Sequence, residues 1–453
     1  MYIKSKRLNV VRDDSGKAFV YHSLYNNPRV LDDSLACLID YFSEPQSIES
    51  VRQCFDGEVE EVVREFISLG YLHDVAHDEN EPLKLSQKKF LLKVETGANL
   101  SRLELAISNS CNLACPHCMH FKNNDLPTRA AELNMTVETA KKSIDAFIAK
   151  VKEQGNRVVR VHFGNGEPLM NWKTLSFVLN YCAAQEGIIF SYAINTNLTL
   201  LTREMAEVLK LHRVKISTSL DGTKLGNDLI RIDRKGNGTF DKIIEKFALL
   251  REIGYPVDGF SITATDKNFD YIDEGVIDLA KSLGVVEVSM DYDLVSSTEL
   301  PLAKCIERIV SLRSYAIRNG VNFYGNWETP FRILMSSSWL SSPHAYCPAM
   351  DGSTLEFNVD GSIRTCGHTN TVVGQGCDLG TALHSGSHYI KLIDSRLPGN
   401  NKMCVGCDIE GACAGQCHVT IESAERDGQL MNNMCAFMKG ATKELIKEYM
   451  ESH

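Results

Sequence analysis

The stretch Cys111-Asn-Leu-Ala-Cys115-Pro-His-Cys118-Met-His120 decides the fold, because it holds three cysteines at the spacing C-x3-C-x2-C. An iron–sulfur cube is normally held by four cysteines. A loop with three thiolates therefore predicts a cluster with one iron open to a small molecule, which is a catalytic arrangement. The alternative is a zinc knuckle with a distant fourth ligand such as His117 or His120.

The composition predicts a globular protein of two or three domains, since 43% of the 453 residues are hydrophobic and 23% are charged. The net charge of -10 argues against a nonspecific nucleic-acid binder, which needs a basic face. The N-terminus lacks a signal segment, and no window approaches about 18 uninterrupted apolar residues. We therefore expect a cytoplasmic protein that binds neither nucleic acid nor membrane. Fifteen cysteines in that reducing compartment favour metal ligation over disulfides.

Residues 1–95 predict a small separate domain of winged-helix type. A hairpin over 7–22 precedes three helices, and a strand returns after them. Asp32 or Asp33 is placed to cap the first helix, and the second starts near Ser47. A polar stretch at 75–90 then predicts a linker.

From residue 102 onward, strands alternate with amphipathic helices, which predicts a parallel sheet with right-handed crossovers. The first strand delivers the cysteine loop at its carboxyl end, where the active sites of parallel barrels lie. Six strand–helix units end by about residue 320. The six predicted strands are 103–107, 158–163, 192–197, 214–221, 259–264 and 285–291.

The cysteine loop and the sequence Gly164-Asn-Gly-Glu-Pro168 resemble the radical S-adenosylmethionine (SAM) enzymes, which carry a Gly-Gly-Glu-Pro motif. The resemblance implies an α/β fold with a partial (β/α)6 TIM-type barrel. It also implies a 4Fe-4S cluster on the three loop cysteines, with SAM bound at the open iron. Asn165 replaces one glycine of the motif, which puts the local turn in doubt. The resemblance assigns SAM contacts to Gly164, Gly166, Glu167, Asn197, Ser219 and Arg231.

Seven cysteines in the last third resemble the SPASM pattern, C-x9-15-G-x4-C, then C-x2-C-x5-C-x3-C and a final C. The resemblance implies two auxiliary 4Fe-4S clusters, hence three clusters in the chain. It assigns the outer cluster to Cys404, Cys407, Cys413 and Cys435. It assigns the inner cluster to Cys347, Cys366 and Cys417. Either Cys377 supplies the fourth inner ligand, or that site stays open to substrate.

The resulting domain prediction has four parts. A winged-helix-like peptide-recognition domain covers 1–95, and a radical SAM partial barrel covers 96–320. A bridging segment spans 321–345. A cysteine-rich SPASM domain with a C-terminal helix covers 346–453.

The N-terminal pattern is similar to the PqqD-like leader-recognition domains of enzymes that modify ribosomally made peptides, especially at 30–34 and 66–72. In those relatives a leader peptide adds as a strand to a sheet edge. The alternative is a winged helix that only packs against the rest of the protein or that binds DNA. The whole resemblance implies hydrogen abstraction from a precursor peptide by a 5′-deoxyadenosyl radical, followed by a carbon–carbon, thioether or ether crosslink. The auxiliary clusters would then be an electron outlet, and flavodoxin or ferredoxin the external reductant.

Three alternatives stay open at this stage. Anaerobic sulfatase maturases, which make formylglycine, share both cysteine sets, but they place an aspartate directly after the second SPASM cysteine, where this chain has Gly367. A peptide epimerase needs a hydrogen donor and usually no electron outlet. A zinc- or cluster-bearing binding scaffold would leave Glu167 idle.

Overall fold

The N-terminal segment builds two small sheets and three helices. The computed structural model describes residues 1–452 except 14–15, 56, 58, 121–132, 298, 337, 341–344 and 425–427. The elements are β1 (Tyr2–Lys4), β2 (Leu8–Arg12), β3 (Ala18–His22), β4 (Asn26–Leu31), α1 (Asp33–Tyr41), α2 (Ile48–Cys54), α3 (Val59–Ser68) and β5 (Leu72–Asp74). Strands β2, β3 and β4 form an antiparallel sheet, and β1 pairs with β5. The predicted hairpin and three helices are confirmed, with Asp32 and Ser47 as side-chain caps.

The linker predicted at 75–90 is wrong over its second half, because Glu81–Thr96 forms helix α4. The helix ends at Gly97, whose φ of 75° lies in the left-handed region. Its buried apolar side chains are Leu83, Phe90 and Val94. Polar residues lie between them in the sequence and form the exposed face of the helix. The polar composition of the stretch therefore suggested a linker, although its apolar residues form one helical face.

A ten-stranded sheet organises the rest of the described chain. Its strands are β6 (Arg102–Ala106), β7 (Val158–Gly164), β8 (Ile189–Thr196), β9 (Lys215–Ser219), β10 (Gly259–Ala264), β11 (Glu287–Tyr292), β12 (Asn322–Tyr324), β13 (Thr354–Phe357), β14 (Ile363–Arg364) and β15 (Val372–Gly374). Strands β6 to β11 are the six predicted ones, and they lie side by side in parallel. The predicted partial barrel is confirmed.

The sheet continues beyond the six predicted strands at both edges. Strand β12 pairs in parallel with β11, and β13 pairs in parallel with β6. Strands β14 and β15 then add in antiparallel orientation. One sheet therefore crosses the domain boundaries predicted at 320 and 346, and it ties the cysteine-rich segment to the strand that delivers the cysteine loop.

Helices follow most strands of the barrel and cover its outer face. They are α5 (Val137–Glu153), α6 (Trp172–Ala183), α7 (Arg203–Leu211), α8 (Lys224–Ile230), α9 (Phe240–Glu252), α10 (Gly275–Ser282) and α11 (Leu302–Arg318). The C-terminal third adds α12 (Thr329–Ser336), α13 (His388–Arg396), α14 (Glu410–Cys413), α15 (His418–Ala424) and α16 (Gly428–Ser452). In the part of the chain that the structure describes, no helix has the length and apolarity needed to cross a bilayer.

The barrel strands are apolar on one face only. In β7, Val159, Val161 and Phe163 are buried under the helices, whereas Arg160 and His162 alternate with them. A parallel strand covered on both faces is normally apolar throughout. The opposite faces of these strands enclose a cavity of about 230 Å³. We call this cavity the lumen; its polar lining residues are Arg102, Arg160, His162, Asn195, Lys215, Ser217, Ser261, Glu287 and Tyr324.

Candidate active site

The cysteine loop lies at the carboxyl end of β6. Two contacts with the segment that follows α8 fix its shape. The Ala114 N–H donates to the Ile232 carbonyl at 2.9 Å, and Arg234 Nη2 donates to the Cys111 carbonyl at 2.6 Å. The loop backbone is therefore held in place by the protein itself.

The three loop thiols form a donor set that suits an iron–sulfur cluster. Burial, with smaller contributions from Glu167 and the neighbouring thiols, raises the pKa of Cys111 to about 12. Burial also raises the pKa of Cys115, and the Arg231 guanidinium opposes that shift. Thiols must lose their protons to bind metal. Arg231 Nη1, 3.8 Å from Cys115 Sγ, is placed to offset the resulting negative charge.

The two histidines proposed as zinc ligands contact other protein groups. His120 Nε2 lies 3.3 Å from the Asn109 carbonyl, and its Nδ1 lies 3.4 Å from the Gly367 carbonyl. His117 Nε2 lies 3.4 Å from Arg231 Nη2. Among the described residues, no three Cys, His, Asp or Glu side chains surround a single metal ion. Both imidazole rings are already in contact with other protein groups.

The turn after β7 packs directly against the cysteine loop. Gly166 has a φ of 38°, and a Cβ there would lie 2.3 Å from the Ser110 carbonyl oxygen, so no other residue fits. The Glu167 N–H donates to that same carbonyl at 2.7 Å. Asn165 has a φ of 64°, and asparagine is enriched in this left-handed region. The turn is thus compatible with the asparagine that replaces the family's glycine.

Glu167 is completely buried, and three donors hold its carboxylate. They are the Leu169 N–H at 3.0 Å, Thr196 Oγ1 at 2.8 Å and the Asn197 N–H at 2.7 Å. Burial raises the pKa of Glu167, and these hydrogen bonds lower it. A carboxylate offers about four acceptor positions, so about one remains for a ligand. Glu167 therefore joins the ends of β7 and β8 and keeps capacity for an ammonium group.

Asn197 and Arg231 approach the loop thiols from two sides. Asn197 Nδ2 lies 3.7 Å from Cys111 Sγ. Arg231 is buried in an ion pair with Asp221 at 2.8 Å. The structure thus brings these two residues, with Gly166 and Glu167, to the cysteine loop. The other predicted SAM contacts, Gly164 and Ser219, end strands β7 and β9, which flank β8 on its two sides.

Asn165 links this turn to the C-terminal third of the chain. Its Nδ2 donates to Glu356 Oε1 at 2.6 Å, and Glu356 forms a buried ion pair with Arg364 at 2.7 Å. The same carboxamide fills the space beside Gly367, because a Cβ at that position would lie 1.7 Å from Asn165 Oδ1. The asparagine and the glycine are therefore sterically complementary.

Gly367→Ala should destabilise the protein by about 1–3 kcal/mol, because Asn165 can move aside only by giving up its buried hydrogen bond to Glu356. In the Asn165→Gly background, where that hydrogen bond is already absent, Gly367→Ala should cost much less. Denaturant unfolding of the two single variants and the double variant measures the coupling. Additive effects of the two changes would show that the side chain does not occupy this space.

The seven C-terminal cysteines of the SPASM pattern lie in two groups. Burial raises the pKa of Cys347 to about 12, and the nearby Cys417 thiol adds to that shift. Burial and Cys417 also raise the pKa of Cys366. These three form the inner group. The outer group lines one cavity with apolar walls: Cys404, Cys407, Cys413 and Cys435. Four thiols around one apolar cavity are a donor set that fits a cluster with a cysteine on each of its four irons.

Cys377 lies between helix α5 and a tight backbone turn. Its Sγ lies 3.3 Å from Ser143 Oγ on α5, and its N–H donates to the Gly361 carbonyl at 2.8 Å. A Cβ on Gly361 would lie 2.7 Å from that Sγ, so the thiol packs in a tight backbone turn. Cys377 as the fourth inner ligand and an inner site open to substrate therefore both stay predictions.

The N-terminal domain contacts the segment that carries the outer group. Arg7 Nη1 pairs with the fully buried Glu410 at 3.0 Å, and Asn9 Nδ2 donates to the Asp408 carbonyl at 3.4 Å. The Gly411 N–H donates to the Ser23 carbonyl at 2.6 Å. Strand β2 and its flanks thus lie against the outer cysteines.

Sequence reasoning missed the lumen. The signal was available in the predicted strand Val158-Val-Arg-Val-His-Phe163, since charged residues alternate with apolar ones where a doubly covered strand should be apolar. It also missed Asn165, Glu356 and Arg364 as one buried network, which only the pairing of β13 with β6 assembles.

Comparison with known proteins gives relatives along the whole chain. The radical SAM superfamily model matches residues 105–292. The radical SAM cyclopropyl synthase TigE of Paramaledivibacter caminithermalis is 25% identical over 98% of this chain and 95% of its own. An uncharacterised protein of Methanocaldococcus jannaschii is 30% identical over 61% of this chain and 87% of its own.

Two solved structures share the fold. Streptococcus suis SuiB bound to the precursor peptide SuiA has a TM-score of 0.53 at 18% identity, over 93% of this chain and 97% of that one. Native anSMEcpe with bound AdoMet and the Cp18Cys peptide has a TM-score of 0.58 at 16% identity, over 78% of this chain and 99% of that one. With the three-cysteine loop, the Gly-Glu-Pro turn and the parallel partial barrel, the family model and the sequence relatives show that the chain belongs to the radical SAM superfamily.

Proposed function

We propose that this enzyme removes two hydrogens from a ribosomally made precursor peptide and forms a new bond within it. The observation that carries the peptide assignment is the free edge of β2, which pairs only with β3 among the described strands and is half-buried along most of its length. A free edge offers backbone groups to an added strand. The solved SuiB complex holds a precursor peptide, which supports the same assignment.

The residues of the site divide the work between binding and orientation. The cluster held by Cys111, Cys115 and Cys118 would supply the electron that splits SAM into methionine and a 5′-deoxyadenosyl radical. Glu167 would accept a hydrogen bond from the SAM ammonium group. Arg231 is placed to form an ion pair with the carboxylate of SAM or with the loop thiolates. The lumen, open from the amino ends of the strands, would admit one side chain or one end of the peptide.

The auxiliary thiol groups fit an oxidation rather than an epimerisation. Removing two hydrogens as one hydrogen atom and one proton leaves one electron to be carried away, and epimerisation leaves none. The seven cysteines of the SPASM pattern form two groups beside the barrel. The segment that carries the outer group contacts the peptide-binding domain through the ion pair between Arg7 and Glu410. An external reductant such as flavodoxin or ferredoxin would complete the electron supply.

A formylglycine product is disfavoured by the site. The aspartate that the sulfatase maturases carry after the second SPASM cysteine is Gly367 here, and Asn165 fills the space of its side chain. An aspartate at position 367 would therefore require the Asn165 side chain to move or to be replaced.

Co-expression with short reading frames that neighbour the gene tests the proposal. We expect one precursor to lose the mass of two hydrogens, with 5′-deoxyadenosine formed under reduction. An unchanged mass with an inverted residue would indicate an epimerase, and reaction of the product with hydroxylamine would indicate formylglycine. Absence of 5′-deoxyadenosine from the reconstituted enzyme would support a binding scaffold and contradict the proposal.

A second candidate product is a cyclopropane ring within one side chain. The 25% identity to a cyclopropyl synthase across 98% of this chain favours it. Both products lose two hydrogens, so the intact mass does not distinguish them. Tandem mass spectrometry does. A crosslink suppresses backbone fragments between the joined residues, whereas a cyclopropane leaves them intact and places the deficit on one residue.

A further inference from the structure

The lumen lies at the amino ends of the barrel strands, opposite the cysteine loop. Arg102, Lys215 and Glu287 are the first residues of β6, β9 and β11, and all three line it. Its volume of about 230 Å³ is below the roughly 300–1,000 Å³ of sites that hold a whole small ligand. It therefore has room for one side chain or a chain end, and not for a nucleotide cofactor.

The charges around the lumen are in positive excess. Three cations line it, and two of them have acidic partners: Arg102 lies 2.7 Å from Glu104, and Lys215 lies 3.3 Å from Glu287. Within the described residues, the exposed Arg160 side chain has neither a hydrogen bond nor an ion pair. An arginine fork without a carboxylate is a ready partner for one.

The two titratable groups deeper in the barrel do not cancel this excess. Burial raises the pKa of Glu104 to about 7, although Arg102 and, more weakly, Arg160 oppose the shift, so its negative charge is only partial near neutral pH. Burial, Arg102 and Arg160 lower the pKa of His162 to about 3, so it is neutral. Its Nδ1 makes no hydrogen bond.

We propose that the amino end of the lumen binds a carboxylate of the peptide substrate, with Arg160 as its main partner and Arg102 and Lys215 beside it. The inference rests on the proposed function, since the carboxylate belongs to the peptide. It arises from an acidic side chain or from the C-terminus of the peptide.

The position of this site sets the spacing to the modified residue. Strand β9 runs from Lys215 at the lumen to Ser219 at the cofactor end. At about 3.3 Å per residue, the two ends are roughly 13 Å apart, which an extended peptide spans with about four residues. We therefore expect the modified residue about four positions from the bound carboxylate.

Binding of short probes to the reconstituted full-length enzyme tests the proposal by calorimetry at low salt. The probes are acetyl-Ala-Ala-Ala-Ala-Glu-amide, acetyl-pentaalanine with a free C-terminus, and the neutral acetyl-Ala-Ala-Ala-Ala-Gln-amide. We expect one or both acidic probes to bind at least about tenfold more tightly than the neutral probe. The tighter acidic probe identifies the source of the carboxylate.

Arg160→Gln and Lys215→Gln should each remove most of this preference. Arg157→Gln is the matched control, because Arg157 is exposed, directly precedes β7 and does not line the lumen; it should keep the preference. Equal binding of acidic and neutral probes overturns the proposal, as does a preference that survives both lumen variants. The probes need neither leader nor turnover, so this result is independent of the precursor test.

Discussion

Replacing Cys115 with alanine should reduce SAM cleavage to background. Cys115 is one of three thiols on a loop that the backbone around Ile232 already holds in shape. Three thiolates hold three irons of a cube and leave the fourth open. The loss of one thiolate therefore leaves no stable cluster site. We also expect the reconstituted variant to contain about one third less iron than the parent.

The matched control for this change is Cys37→Ala. Cys37 is exposed on α1, far in sequence from the loop, and belongs to neither cysteine set. It should keep the iron content and the rate of 5′-deoxyadenosine formation of the parent. Parental SAM cleavage by Cys115→Ala would contradict the assignment of the cluster to this loop, whatever its iron content.

Local signals were enough to predict the elements of the barrel. The caps at Asp32, Ser47 and Thr136 act on the helices that directly follow them, so they are readable from adjacent residues. The six strands are spaced by helices of ordinary length, and their order in the sheet is the order of the chain. The cysteine grouping followed from spacing and resemblance and stays a prediction, although Cys404, Cys407, Cys413 and Cys435 do line one cavity.

Features that depend on distant partners were not predictable in this way. The pairing of β13 with β6 joins residues about 250 positions apart, and no local pattern marks it. Cys377 was the nearest spare cysteine in sequence, but the turn against Gly361 directs its thiol to Ser143. The contact of Asn165 with Glu356 and Gly367 depends on that same strand pairing.

Replacing Cys407 with alanine should have the opposite signature to Cys115→Ala. Cys407 lies in the outer group, remote in sequence from the loop, so SAM cleavage should stay close to the parental rate. Modified peptide should fall below detection, because we expect the electron left by peptide oxidation to need the intact outer group. The variant should again lose about one third of its iron.

Cys377→Ala is the matched control for this last change, since it removes another thiol from the C-terminal third. Its contacts with Ser143 and Gly361 lie outside both thiol groups, so its iron content and peptide product should equal those of the parent. Loss of iron in this control would return Cys377 to the inner group. Normal peptide modification by Cys407→Ala would instead remove the outer group from the oxidation, and the electron would then have to leave by the inner group or return to the SAM end of the barrel.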